Sequence, residues 1–377
     1  MRNRLMALFI TFAMLLSSSV LTYADGTGVL QEVEQLIGNS AFIAKDFTVL
    51  TNGNRVLVGL VETTGNIDAA VYMDGSLISI LGKAEETVEK VIATHDGGFL
   101  LVGITESVTG VFSRNAGMKD VYAAKYDSTG YQTWLKCYGG SRNDSIADVV
   151  ETPAGFFFMG DSYSNTSGII QPDSDLWFWS VDNDGLLIDE LYVGDSGQET
   201  AGNIMGTKII KSGLFEKKAL SHAVLCIENP LDYKETSYKK LSIINDLGEL
   251  NVSTVFIDNF SFDIVPYQEF ELSSRRIINK YYKGVEVGNE YYLCGNHQDW
   301  KDSAENGSQG QITRFDNKGA TISNFISYWH EGNQPSVSES YNKLYEADNG
   351  IVVAGEVNHW GAGDTDQAII VDAYSYN

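Results

Sequence analysis

Basic residues, cysteines and long apolar runs are all scarce in this chain of 377 residues. Lysine and arginine number 26 against 50 aspartates and glutamates, a formal net charge of −24. So acidic a surface repels phosphate backbones and anionic lipid heads, which argues against nucleic acid or a membrane surface as partner. Three cysteines, Cys137, Cys226 and Cys294, cannot all pair within one chain, and their spacing fits no zinc or redox motif. Each lies in an apolar, strand-like run, which favours buried free thiols, with a Cys226–Cys294 bridge as the alternative. Beyond residue 24 no segment approaches the roughly 20 apolar residues of a membrane helix. Gly-x-Ser-x-Gly, His-Glu-x-x-His and phosphate-cradling glycine loops are also missing, so serine hydrolases, zincins and nucleotide enzymes lose their usual support.

The one strongly apolar stretch is at the start, "MRNRLMALFITFAMLLSSSVLTYADG". Arg2 and Arg4 give a basic beginning, Leu5 to Leu16 an apolar core too short to span a bilayer, and Ser17 to Ala24 a polar stretch ending in a small residue. A signal peptide is therefore expected over residues 1–24, with a secreted or cell-surface mature chain from residue 25. No cysteine follows the apolar core, so a lipid anchor is not expected.

What the chain does have is repetition. "LTNGNRVLVGLVET", "THDGGFLLVGITES", "ETPAGFFFMGDSYS" and "EADNGIVVAGEVNH" each pass from a turn into a hydrophobic strand and then a glycine: Gly59, Gly103, Gly160 and Gly355, with Gly295 in the looser "VGNEYYLCGNHQ". A second shared line follows each: "AAVYMDGSLISI", "YAAKYDSTGYQTW", "WFWSVDNDGLLIDE", "LSIINDLGELNV" and "ITRFDNKGATIS", strands that end in the Asp/Asn/Gly turns hairpins favour. Four short strands recurring every 40 to 60 residues or so are the signature of a β-propeller blade. The expected fold is all-β: a single-domain, six-bladed propeller of four-stranded antiparallel blades near 41–83, 84–140, 141–195, 196–258, 259–332 and 333–377. First strands are expected near Phe47, Val91, Val149, Ile204, Tyr281 and Leu344; the fourth unit lacks the glycine, and the fifth carries an insertion, "NFSFDIVPYQEFELSSRR". The last unit runs out after three strands, and residues 29–40 align with outer strands, so an N-terminal strand is expected to complete it and close the ring. A short amphipathic helix over residues 29–37 is the rival for that segment.

The lines "THDGGFLLVG", "AAKYDSTG" and "TWLKCYGGSRNDSIADVV" resemble the glycine-rich β-propeller repeats of bacterial secreted and cell-surface proteins. That resemblance implies an architecture and an exported location, and it assigns no catalytic residue.

Loops joining second to third strands, and each unit to the next, are long and fall on one face, where binding commonly resides. Three of them carry His297, Gln298, Asp299 and Trp300; Trp329, His330 and Glu331; and His359 and Trp360. Indole rings beside acids and amides suit a sugar: the apolar face of a pyranose stacks on the ring while polar groups take its hydroxyls. The candidate ligand-binding residues are therefore His297, Asp299, Trp300, Trp329, His330, His359 and Trp360, with tryptophans that merely cap the sheets as the plain alternative. Zinc on His297, His330 and His359 has weaker support, since the spacing is irregular. No cofactor is expected, although Asp173-Ser174-Asp175 and Asp364-Thr365-Asp366 offer oxygens suited to calcium; Asp182-Asn183-Asp184-Gly185 looks similar but sits where Asp127 and Asp316 begin hairpin turns. The expected function is a secreted, monomeric, non-catalytic binding module for a glycan or cell-surface protein. A glycan-cleaving hydrolase and a purely structural surface protein are the alternatives; a sialidase is disfavoured by the spacing of "YDSTGYQTW" and the scattered arginines.

Overall fold

Aspartate and glycine set the turns from which the strands grow. In the computed structural model the residues described are 42–62, 66–82, 84–112, 115–164, 174–194, 198–212, 217–229, 237–246, 249–250, 256–262, 276–300, 308–316, 320–326, 337–347, 350–359 and 367–375. The leader at 1–24 and the closing strand expected at 29–40 lie outside them. Among the described residues the strands form six antiparallel sheets. Sheet 1 holds β1 (Phe42–Val49), β2 (Arg55–Glu62), β3 (Ile67–Met73) and β4 (Ser76–Leu81). Sheet 2 holds β5 (Glu86–Ala93), β6 (Phe99–Thr105), β7 (Asp120–Tyr126) and β8 (Gln132–Tyr138). Sheet 3 holds β9 (Asp144–Thr152), β10 (Gly155–Ser162), β11 (Asp175–Val181) and β12 (Leu187–Val193). Sheet 4 holds β13 (Gln198–Ser212), β14 (Lys217–Asn229), β15 (Ser237–Asp246) and β16 (Glu249–Leu250), with β17 (Phe256–Phe262) also paired to β15. Sheet 5 holds β18 (Arg276–Val287), β19 (Glu290–Trp300), β20 (Ser308–Phe315) and β21 (Thr321–Ile326). Sheet 6 has three strands, β22 (Val337–Ala347), β23 (Gly350–His359) and β24 (Gln367–Ser375).

The chain is thus all-β, with the four-stranded antiparallel sheets its repeats lead one to expect. One feature differs: Asn259–Phe262, read as the start of an insertion, belong to β17, where Phe262 pairs with Tyr238 and Phe256 with Ser242. The chain divides into two compact units. One holds sheets 1 to 3 with the start of β13, up to Ala201, and the residues around β16; the other holds the rest of sheet 4 with sheets 5 and 6.

The third-to-fourth-strand turns follow one chemistry. Between Met73 and Ser76, Asp74 (φ 45) and Gly75 (φ 83) both adopt the positive φ that a two-residue hairpin needs. At the longer turns an aspartate does the work: Asp127 Oδ1 accepts from the N–H of Thr129 (2.8 Å) and Tyr131 (3.0 Å), and Asp182 Oδ1 from Asp184 (2.9 Å) and Leu186 (2.8 Å). Asp316 Oδ1 likewise accepts from Ala320 N–H at 2.8 Å. The carboxylate replaces backbone acceptors inside the turn, so Asp182–Gly185 is a hairpin and not a calcium loop.

The repeated glycine has a steric cause. In five sheets the first strand skips one residue opposite it: Gly59 pairs with Ala44 but Val58 with Asp46, and Gly103 pairs with Val88 but Val102 with Lys90. The same bulge lies opposite Gly160, Gly295 and Gly355. It turns a carbonyl onto the glycine, and a Cβ there would run into Ile43 O at Gly59, Thr87 O at Gly103, Ser145 O at Gly160 and Ser340 O at Gly355. The bulge also re-aims the charged residue after it. Asp46 Oδ2 thereby accepts from Val91 N–H in the next sheet (2.9 Å), and Lys90 is ion-paired with Asp148. Burial alone lowers the Lys90 pKa, but Asp148 and Asp46 outweigh it and leave that pKa raised.

Middle strands are covered on both faces. All residues of β7 and β11 are buried, whereas the outer β12 is mostly half-buried and the outer β21 largely exposed. Leu101 and Phe99 of β6 pack against Val56, Val58 and Val71 of sheet 1, while Leu100 and Val102 pack against Phe158, Trp177 and Trp179 of sheet 3. Strands buried on both sides read as continuous apolar runs, which is why "GFLLVG" and "DLWFWSV" lack polar alternation.

Candidate functional site

Strand direction fixes where the sequence-predicted residues go. β19 and β23 run toward the same end of sheets 5 and 6: Cys294 lies against Lys343, which pairs with Ala354, and Gly310, opposite Asn296, lies against Tyr341, which pairs with Gly355. These two sheets pack face to face: Tyr292, Cys294 and Ile312 meet Tyr341, Ile351 and Val353, and Gly310 leaves room for the buried Tyr341 ring. His297, Asp299 and Trp300 lie at the end of β19, and His359 is the last residue of β23. Trp329, His330 and Trp360 lie outside the described residues, as do Asp173 and Asp364-Thr365-Asp366.

The loop assignment needs correction for four of these. His297, Asp299 and Trp300 are in a strand, paired with Asn279, Ile277 and Arg276 of β18, and His359 pairs with Val337. The segment "NHQDW" has no apolar alternation and so reads as a loop, but a partner strand of equal length satisfies its backbone, which decides the matter. His297 is also 9% exposed, so its ring is held within the fold and not offered freely to solvent.

Beneath this end is a polar group that sequence analysis missed. Gln311 of β20 is fully buried, and neither atom of its amide has a hydrogen-bond partner among the described residues. It pairs directly with Gly295, the position at which Tyr122 faces Gly103 and Trp177 faces Gly160. An amide therefore occupies a slot that is aromatic in sheets 2 and 3. His297 lies two residues along β19 from Gly295 and shares the face of Gln311. Farther down β20 the side chains are satisfied: Tyr281 Oη and Thr313 Oγ1 are 2.8 Å apart, and Thr313 Oγ1 donates to Asn324 Oδ1 at 2.9 Å. Asn296, on the opposite face and 9% exposed, has an Oδ1 without a partner among the described residues. Only the register shows that Gln311 faces a repeat glycine, so a line-by-line reading of strands passes over it.

The three thiols are unbridged, Cys226 and Cys294 buried and Cys137 half-buried. Burial pushes the Cys137 and Cys294 thiols up to about 12, which favours the neutral thiol form of both. Burial takes His222 the other way, down to about 4, and its Nδ1 lies 2.9 Å from Thr207 Oγ1. No group of three His, Cys, Asp or Glu side chains suited to a metal occurs among the described residues. Ser174, weighed as a calcium ligand, instead donates through Oγ to Glu199 O at 2.8 Å.

No protein-family model matches the chain, and no curated protein matches it. Solved structures give distant similarities. A polysaccharide lyase aligns at a TM-score of 0.41 and 13% identity over 90% of this chain and 78% of its own. A variant of the Synechocystis apocarotenoid oxygenase aligns at 0.42 and 10% over 86% and 68%. A mannose phosphorylase from Leishmania mexicana aligns at 0.31 and 10% over 75% and 81%. At such values no activity is carried from any of them to this chain.

Proposed function

We propose that the chain is an exported, non-catalytic β-propeller, one blade per sheet, that binds carbohydrate at the strand ends of sheets 5 and 6. What supports this reading is that His297, Asp299 and Trp300 end β19 and His359 ends β23, second strands of two sheets that pack on each other. Trp300 and Trp360 are the stacking platforms, and Asp299 and His359 bind hydroxyls. The mature protein, residues 25–377, is expected to bind a subset of an array of glycans and cell-wall fragments. The Trp300→Ala/Trp360→Ala double variant is expected to lose about tenfold or more in affinity. Equal binding by the variant would move the site elsewhere, and release of shortened glycans by the wild type would replace binding with hydrolysis.

In this architecture residues 29–40 supply the fourth strand of the last blade, beside β24. Support comes from sheet 6, which has three strands where sheets 1, 2, 3 and 5 have four. Deleting residues 25–40 is expected to leave the edge of β24 open, lowering the thermal midpoint and promoting aggregation in light scattering. An unchanged midpoint would assign the segment another role.

A further inference from the structure

The joint between sheets 2 and 3 holds two buried carboxylates. Asp120 opens β7 and Asp144 opens β9; they are 1% and 2% exposed. Gly139 lies between them: a Cβ there would sit 2.6 Å from Asp120 Oδ1 and 2.7 Å from Asp144 Oδ2, which puts these two oxygens within about 5 Å of each other. The surroundings treat the two acids differently. Asp144 is fully served by donors: Ser162 Oγ to Oδ1 (2.5 Å), and Gly140 N–H (2.7 Å) and Ser164 Oγ (2.9 Å) to Oδ2. Asp120 accepts through Oδ2 from Ala116 N–H at 2.7 Å, while its Oδ1 has no hydrogen-bond partner among the described residues. No cation is among the groups that shift either acid, and Lys119 Nζ reaches Glu106 at 2.9 Å. The Cys137 thiol on β8 and the Tyr192 hydroxyl on β12 are both raised, first by burial and then by charges that include this pair.

We propose that Asp120 and Asp144 hold one proton between them, carried on Asp120, and that this joint is a pH-sensitive latch between sheets 2 and 3. Two anions this close in a dry joint repel, and the acid with a vacant oxygen is the one that keeps the proton. Its O–H then faces across the Gly139 gap toward the buried, hydrogen-bonded carboxylate of Asp144. Metal is the poorer occupant, because both Asp144 oxygens already receive N–H or O–H donors that a cation would displace. The layout recurs: a Cβ at Gly194 would meet the carboxylates of Asp175 and Glu199, and Asp68 and Glu86 are buried at the corresponding strand starts of sheets 1 and 2.

Burial first, then the charge of Asp144, pushes Asp120 up to about 6 against the pull of the Ala116 and Gly117 N–H groups. Burial also raises Asp144, although Ser162, Gly140 and Ser164 pull it back. The folded state therefore holds the Asp120 proton more tightly than the unfolded chain. Its contribution to stability is whole below about pH 4 and is lost as pH rises through about 6.

The test is urea unfolding of the full mature chain from pH 4 to pH 8, for wild type and Asp120→Asn. The amide keeps an N–H to donate to Asp144 and cannot ionise. The wild-type unfolding equilibrium constant is expected to rise with pH relative to that of the variant, by up to about a hundredfold between pH 4 and pH 7. A constant ratio across that range would overturn the latch. Carboxyl 13C spectra of aspartate-labelled wild type keep the question open to disproof even where the variant fails to fold. A carboxyl titrating above pH 5 in step with a second one is expected, and titration of every aspartate near or below pH 4 would refute the proposal. Calcium added at pH 7 is expected to leave the midpoint unchanged; a saturable rise that vanishes in Asp120→Asn would make the joint a cation site instead.

Discussion

Gly103→Ala is expected to cost about 3 kcal/mol or more, among the larger effects a single added methyl group can produce. The new Cβ would run into Thr87 O and lie 2.8 Å from the Thr87 carbonyl carbon and 2.9 Å from the fully buried Tyr122 ring. None of these can retreat. The carbonyl belongs to the first strand just before its bulge, and Tyr122 is held by its Oη donating to Thr87 O at 2.8 Å and by Phe112 edge-on at 5.3 Å. Gly288→Ala is the control. It occupies a turn at φ +64 with nothing within 4 Å of the added atom, so only backbone strain of about 1 kcal/mol applies. Urea midpoints of the two variants decide the point: equal losses would mean that the bulge yields, and that conformational freedom alone accounts for the repeated glycine.

Trp179→Ala is expected to cost about 3–5 kcal/mol and to remove most of the near-ultraviolet dichroism. Trp179 is fully buried, its ring 4.9 Å from Phe158 and 3.7 Å from Trp177, with Tyr192 stacked 6.1 Å beyond Trp177. Two indoles this close couple their transitions, so the signal depends on the pair and not on either ring. The N–H groups of Trp177 and Trp179 make no hydrogen bond to the described residues, which leaves stacking and burial to hold them. Trp300→Ala, far from this stack in sequence and placed in sheet 5, is expected to leave the dichroism intact. A Trp179→Ala spectrum that matches the wild type would show that the stack does not persist in solution.

Much of the architecture is legible without coordinates because turns and glycines are local devices. "MDG", "DSTG" and "DNDG" announce their hairpins, and the spacing of Gly59, Gly103 and Gly160 marks successive second strands. The bulge is another matter. The skipped residues are Lys45, Glu89, Ala147, Tyr282 and Asn342, which share no chemistry, since what is selected there is a backbone path. For the candidate residues that the structure describes, the residue types can be read from the sequence but their setting cannot. His297, Asp299 and Trp300 continue a strand because β18 is long enough to pair with them. Asp120 and Asp144 are separated in sequence by a whole outer strand, and only the packing of sheet 2 on sheet 3 brings them together.

The bulge and its glycine also make first strands interchangeable parts. Five first strands carry the same bulge, and five second strands present the same bare α-carbon opposite it. Shape therefore does not tell a strand which of its near-copies to join. The tether does: Ala93 and Phe99 are linked by the short turn Thr94–Gly98, which keeps each strand at high local concentration beside its own partner. A chain nicked in that turn would lose its address while keeping its fit, and strands of neighbouring copies could then exchange.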